Sequence, residues 1–99
     1  MKAVAEPGTP LGPIDSVWVV RESLDARLVS ATWKHCGDAE LPAGTRLRYM
    51  EFSSIRDRCF GYDWAWHFFR ILEGPATGRR MVLYSDCYAP PHHVVESAD

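Results

Sequence analysis

Through the middle of the chain, apolar and polar residues alternate with period two, the period of half-buried β-strands. Residues 16–22 (SVWVVRE) form a first predicted strand, rich in Val and Trp. Residues 27–35 (RLVSATWKH) form a second, with Leu28, Ser30 and Thr32 on one face and Val29, Ala31 and Trp33 on the other. Residues 45–53 (TRLRYMEFS) form a third. Its Leu47 and Tyr49 share a face, and Met50 and Phe52 are assigned to the opposite one, beside Arg46 and Arg48. Residues 64–73 (WAWHFFRILE) are the fourth and residues 79–85 (RRMVLYS) the fifth.

The intervening segments carry turn chemistry. Residues 23–26 read as a turn or a single helical turn, 37–44 as a loop ending in Leu41-Pro42-Ala43-Gly44, and 54–63 as a polar loop. Gly74-Pro75-Ala76-Thr77-Gly78 is a turn that makes a hairpin of the last two strands. A helix competes for residues 64–72, which lack Gly and Pro; their aromatic content and the turn after them favour a strand. Pro and Gly crowd the first thirteen residues, and Pro90-Pro91 opens the last segment. The expected organisation is a flexible arm over 1–14, one β domain over 15–88 and a flexible tail over 89–99. The fold class expected is mostly β: a five-stranded antiparallel barrel or curled meander, with room for one short helical turn.

The fourth strand stands out because neither face is polar. Trp64, Trp66, Phe68, Arg70 and Leu72 alternate with Ala65, His67, Phe69 and Ile71. A sheet with one wet face should show a polar face here. Either both sides are covered, or one side is a partner's surface. Aromatics and Arg are the residues enriched where proteins bind each other.

Composition changes this picture in two ways. The 99 residues are 46% hydrophobic and 12% aromatic, enough for one modest core and not for two domains. The net charge is -2, which argues against a generally basic nucleic-acid binder. The charge is unevenly spread, however. Residues 46–80 hold seven Arg and no Lys against four acidic residues, while both flanks are net negative. Arg forks onto carboxylate or phosphate and stacks on aromatics. No leader-like or membrane-length apolar run is seen, and three cysteines at wide spacing do not form a disulfide framework. A cytoplasmic location with reduced thiols is expected.

Candidate chemistry is sparse. His35-Cys36, Cys59, Cys87 and His92-His93 are soft ligands, but no C-x-x-C pair places them at zinc spacing. Asp57 and Asp86 sit near Cys59 and Cys87, and a neighbouring acid raises a thiol's pKa instead of activating it. No nucleophile elbow, phosphate loop or zinc-protease helix occurs. No catalytic residue, metal or cofactor is therefore expected.

Leu41-Pro42-Ala43-Gly44-Thr45 stepping into a central strand, the aromatic strand 64–72 and the turn from Gly74 to Arg79 together resemble the SH3-like small barrels over about residues 16–85. The resemblance implies a small barrel fold. The acidic and paired-tyrosine pattern of peptide-binding SH3 domains is missing, so it does not imply polyproline binding. The leading expectation is a small protein-interaction module, an inhibitor or accessory factor of the kind mobile elements encode. It would occupy the surface of another protein, or of a second copy, through Trp64, Trp66, Phe68, Arg70, Arg79 and Arg80. The alternative is a nucleic-acid-binding barrel using Arg46, Arg48, Arg56 and Arg58, with an aromatic stacking on a base. A third class, a small enzyme or metal protein, needs its Cys and His residues to converge in one pocket.

Overall fold

The computed structural model describes residues 10–32, 34–57, 62–85 and 94–98; the side chains of residues 54–57, 62–65 and 85 lie outside that description. The described chain is all β, and it contains no helix long and apolar enough to cross a membrane. Its strands are β1 (Val17–Val20), β2 (Leu24–Val29), β3 (His35–Leu41), β4 (Arg46–Asp57), β5 (Tyr62–Ile71), β6 (Arg80–Ser85) and β7 (Val95–Ser97). They form one antiparallel sheet in the order β3-β2-β6-β5-β4-β1-β7.

Two short connections set the shape of this sheet. β1 and β2 stand sixth and second in the order, yet only residues 21–23 join them. In a flat sheet with strands about 4.8 Å apart they would be separated by about 19 Å. Four Cα steps reach only about 14 Å at full stretch. The sheet must therefore curl. The link from β3 to β4 repeats the constraint between the first and fifth places, and it is folded into a tight turn. There the Thr45 N–H (3.2 Å) and hydroxyl (2.7 Å) both donate to the Pro42 carbonyl.

Curling explains how a single sheet has a core. Val20, Ala26, Leu28, Leu41, Leu47, Tyr49, Phe69, Ile71, Met81 and Val95, drawn from all seven strands, form one buried cluster on the inner face. Several have no exposed surface at all, among them Leu47, Tyr49, Phe69, Ile71 and Met81. Among the described residues no helix or second sheet covers them, so the sheet covers itself. Each such side chain contributes about 1.5–3 kcal/mol through removal from water.

A bulge in β4 corrects one predicted face. Tyr49 pairs with Phe69 and Glu51 with Phe68, so Met50 is an extra residue in the ladder. The insertion shifts side-chain parity by one. Phe52 consequently turns inward against the main core and stacks on His67 at 6.5 Å, instead of facing outward with Arg46 and Arg48.

The described residues form seven strands, not five, and their sheet is open between β3 and β7, not closed as a barrel. Five departures from the expected strand plan go with this difference. The predicted second strand stops at Val29, because the Ser30 hydroxyl accepts from the N–H groups of Thr32 and Lys34 (both 3.2 Å) and turns the chain. Residues 35–41, expected as a loop, are then free to pair with β2 as β3. At residues 23–26 the expected turn or helical turn gives way to β2 itself, with Ala26 and Leu28 inward and Asp25 and Arg27 outward. The polar loop expected over 54–63 shrinks, since β4 runs on to Asp57 and β5 starts at Tyr62. The tail expected to be loose from Ala89 supplies β7, whose Val95 is fully buried against the core. The strand reading of residues 64–72 holds, and Gly74 (φ 88°) and Gly78 (φ 86°) give the following turn its left-handed backbone.

Candidate functional site

Strand pairing brings the central arginines together on the outer face. Arg48 of β4 lies directly opposite Arg70 of β5, and Arg70 directly opposite Arg80 of β6. Directly paired residues point to the same side, with Cα atoms about 4.5–5.5 Å apart. The three form a lateral row across the middle of the sheet. Val17 on β1 and Val29 on β2 end the row on either side.

Backbone carbonyls hold two of these side chains. Arg48 Nη1 donates to the Asp15 carbonyl (2.9 Å), and Arg70 Nη1 donates to the Gly78 carbonyl (3.1 Å). Neither has a carboxylate within ion-pair distance among the described residues. Like charges directly opposite each other destabilise a sheet, a cost that the carbonyl bonds offset in part at the Arg48–Arg70 pair. Arg46 belongs to the same face but is committed to Glu73 (3.5 Å), whose other carboxylate oxygen accepts the Arg46 backbone N–H at 2.9 Å. Arg79 lies outside the row, and its Nη2 donates to Cys36 Sγ at 3.5 Å.

Beside the arginines lies the apolar part of the face. Phe68 (3% exposed), Val82 and Val29 make a second buried cluster, with Met50 and Trp66 packed against it. The doubly apolar fifth strand thus serves two cores. Its His67, Phe69 and Ile71 enter the main one, and its Phe68 anchors the smaller one. Phe68 is consequently a packing residue here and offers almost no surface. Trp66 is half-buried and meets Tyr84 edge-on at 5.8 Å. Tyr84 is 45% exposed, and its hydroxyl accepts from Arg27 Nη1 at 3.5 Å. The sequence reading missed Tyr84 and Arg27, although Arg80, Val82 and Tyr84 alternate in residues 79–85. Arg58 and the side chains of Trp64 and Arg56 lie outside the described residues.

Acidic groups surround this surface. Glu51 opposes Phe68, Asp38 opposes Arg27 and Glu40 opposes Asp25, all on the outer face. The charges of β3 also mark its open edge, where His35 and Asp38 pair at 3.2 Å. Charged edges discourage strand-to-strand association.

The histidines and cysteines do not assemble into a site among the described residues. His35 and Cys36 are exposed on the edge strand, whereas His67 is buried within the main core, and no group of three metal-ligating side chains occurs. Cys59, Cys87, His92 and His93 lie outside the described residues. His67 Nδ1 is 2.7 Å from the Tyr49 hydroxyl, which also accepts the Leu11 N–H at 3.2 Å. Either atom can donate in this bond, according to the tautomer of the His67 ring. Burial lowers the His67 pKa to about 4. Burial also holds the Tyr49 hydroxyl above its usual pKa, opposed by the Leu11 N–H. This pair is a satisfied core contact with no route to a substrate.

A cleft of about 530 Å³ opens where the β3–β4 turn meets the β5–β6 turn, lined by Leu41, Pro42, Ala43, Pro75 and Ala76, with Glu40 and Glu73 at its side. Thr45, the only hydroxyl in its wall, is spent on the Pro42 carbonyl. The cleft therefore holds no nucleophile–base pair. Compared with models of known protein families, with curated proteins and with solved structures, the chain matches none.

Proposed function

We propose that this chain is a small interaction module whose outer sheet face occupies a surface of a partner protein. One observation carries the reading: a half-exposed Trp66–Tyr84 pair and a row of three arginines share one face of a sheet whose other face is fully used by the core. Trp, Tyr and Arg dominate binding energies at protein interfaces because they bury large area with few rotamers to freeze. Trp66, Tyr84, Arg70 and Arg80 are the contact residues; Phe68 holds the platform beneath them, and Arg79 stands at its border. The curl of the sheet and the turn into β4 support kinship with the SH3-like small barrels, with the seam between the edge strands left open. An inhibitor or accessory role fits a face of aromatic and arginine side chains, and the exposed thiol of Cys36 fits a reducing, cytoplasmic setting.

The test is capture of bound proteins from the source cells with the wild-type chain, Trp66→Ala, Tyr84→Ala and Arg70→Ala. Circular dichroism confirms that each variant is folded. A partner that is lost with the face variants and kept by Lys34→Ala, on the far turn, supports the reading. Capture that survives all three face variants refutes it. Nucleic-acid binding by the same arginines, with Arg46 added, is the second reading. It demands a mobility shift of single- or double-stranded probes that falls steeply with salt.

A further inference from the structure

We infer that the partner element on this face is a protein segment that seats an arginine side chain on the Trp66–Tyr84 pair, with its guanidinium turned to Asp25 and Glu40. The inference rests on the interaction reading above and names the chemistry of one contact.

Register brings two carboxylates up to the aromatic pair. Arg27 of β2 lies opposite Val82 of β6, and two residues further along the same outer face come Asp25 and Tyr84. Arg27 Nη1 reaches the Tyr84 hydroxyl at 3.5 Å, so the two strands stay side by side there. On its other side Asp25 lies directly opposite Glu40 of β3. Directly paired residues share a face, about 5 Å apart. The outer face therefore runs Trp66, Tyr84, Asp25, Glu40 across four adjacent strands.

The charge of this corner selects a cation. Asp25 and Glu40 are exposed like charges standing opposite each other, which weakens a sheet, and neither is in an ion pair among the described residues. Their neighbours do not answer them. Arg27 is directed to Tyr84, and Asp38, which stands opposite Arg27, pairs with His35. Three carboxylates around one arginine leave the corner negative whether or not His35 carries a proton. The aromatic pair selects the kind of cation. Tyr84 is 45% exposed and meets Trp66 at 82°, so two rings at right angles make an open recess, and a cation is attracted to a ring face. Arginine suits both halves at once, because its guanidinium plane stacks on an aromatic while its fork takes a carboxylate. An arriving guanidinium would also neutralise the Asp25–Glu40 repulsion. A nucleic-acid strand would bring phosphates to carboxylates that repel them, so the sign of the charge favours a protein.

The experiment titrates the full chain at low salt with a synthetic peptide that carries two Arg among Gly and Ser. Its controls are the same peptide with citrulline at each Arg, which keeps the shape and loses the charge, and the same peptide with Glu at each Arg. Backbone amide and indole shifts locate the contact. The expected result is saturable binding of the Arg peptide with shifts at Asp25, Glu40, Trp66 and Tyr84. Affinity should drop about tenfold or more with the citrulline peptide, and with the double variant Asp25→Asn, Glu40→Gln, as loss of a charge-assisted bond implies. Both substitutions are at exposed positions, and circular dichroism confirms that the variant is folded. Four results overturn the inference: no saturable binding, equal binding of the citrulline peptide, unchanged affinity in the folded double variant, or tighter binding of the Glu peptide. If the inference falls while capture of the native partner still depends on Trp66 and Tyr84, the interaction reading stands and only its arginine contact is lost.

Discussion

Acidification tests the buried pair between His67 and Tyr49. His67 is 1% exposed, and its folded pKa of about 4 lies below the ordinary value of 6.5. The unfolded chain therefore binds a proton between pH 6.5 and 4 that the folded chain refuses. Stability is fully present above pH 6.5, declines as pH falls through this window and levels off below pH 4. At 1.36 kcal/mol per unit, the depression corresponds to about 3 kcal/mol lost between pH 7 and pH 4. For a domain of this size that lowers the melting temperature by about 12–24 °C. Carboxylates also titrate over the range, so the histidine must be isolated by difference. His67→Asn keeps an amide that can accept or donate near the place of Nδ1, retains the bond with Tyr49 and removes the titrating ring. Urea unfolding of both chains at intervals from pH 7 to 4 gives the difference. The gap between them should shift by about 3 kcal/mol in favour of the variant as pH falls. Parallel curves, or a His67 ring resonance that titrates near 6.5, would refute the argument that burial holds this ring neutral.

Three further outcomes follow from the packing. Val95→Ala removes two methyl groups from a fully buried site on β7 and should cost about 2 kcal/mol in denaturant unfolding; no loss would mean that β7 does not close the core. Gly78→Ala puts a Cβ on a backbone at φ 86° with open space around it, so its cost is conformational alone, about 1–2 kcal/mol, read from the melting temperature. Arg70→Gln interrupts two like-charge pairs. Relative to wild type it should be more stable at low salt than at 1 M salt by about 0.4–2 kcal/mol, and a salt-independent gap would show that the row carries no repulsion.

Several strands were legible because their pattern is strong. Residues 64–72 hold aromatics on both faces and are followed by a Gly-flanked turn, which leaves little choice but a hairpin. β3 was not legible: His35-Cys36-Gly37-Asp38 has no alternation, and these residues are strand because β2 offers them backbone partners. β7 is three residues long, too short for any period to show. The candidate face was half visible. The excess of arginines in residues 46–80 could be counted, but those that stand side by side are 22 and 10 positions apart in sequence, and only the register of three strands aligns them. Tyr84 escaped notice because one aromatic at a strand's end carries no signal until Trp66 is beside it.

The sequence by itself determined the strand period, the glycine turn after β5 and the two apolar faces of residues 64–72, since each is a local property of side-chain alternation or backbone freedom. Only the tertiary structure decided that seven strands curl into one open sheet, because two short links forbid a flat one. It alone turned Phe52 inward, through one extra residue at Met50. It alone lined up Arg48, Arg70 and Arg80, because register is a relation between strands and no single strand contains it.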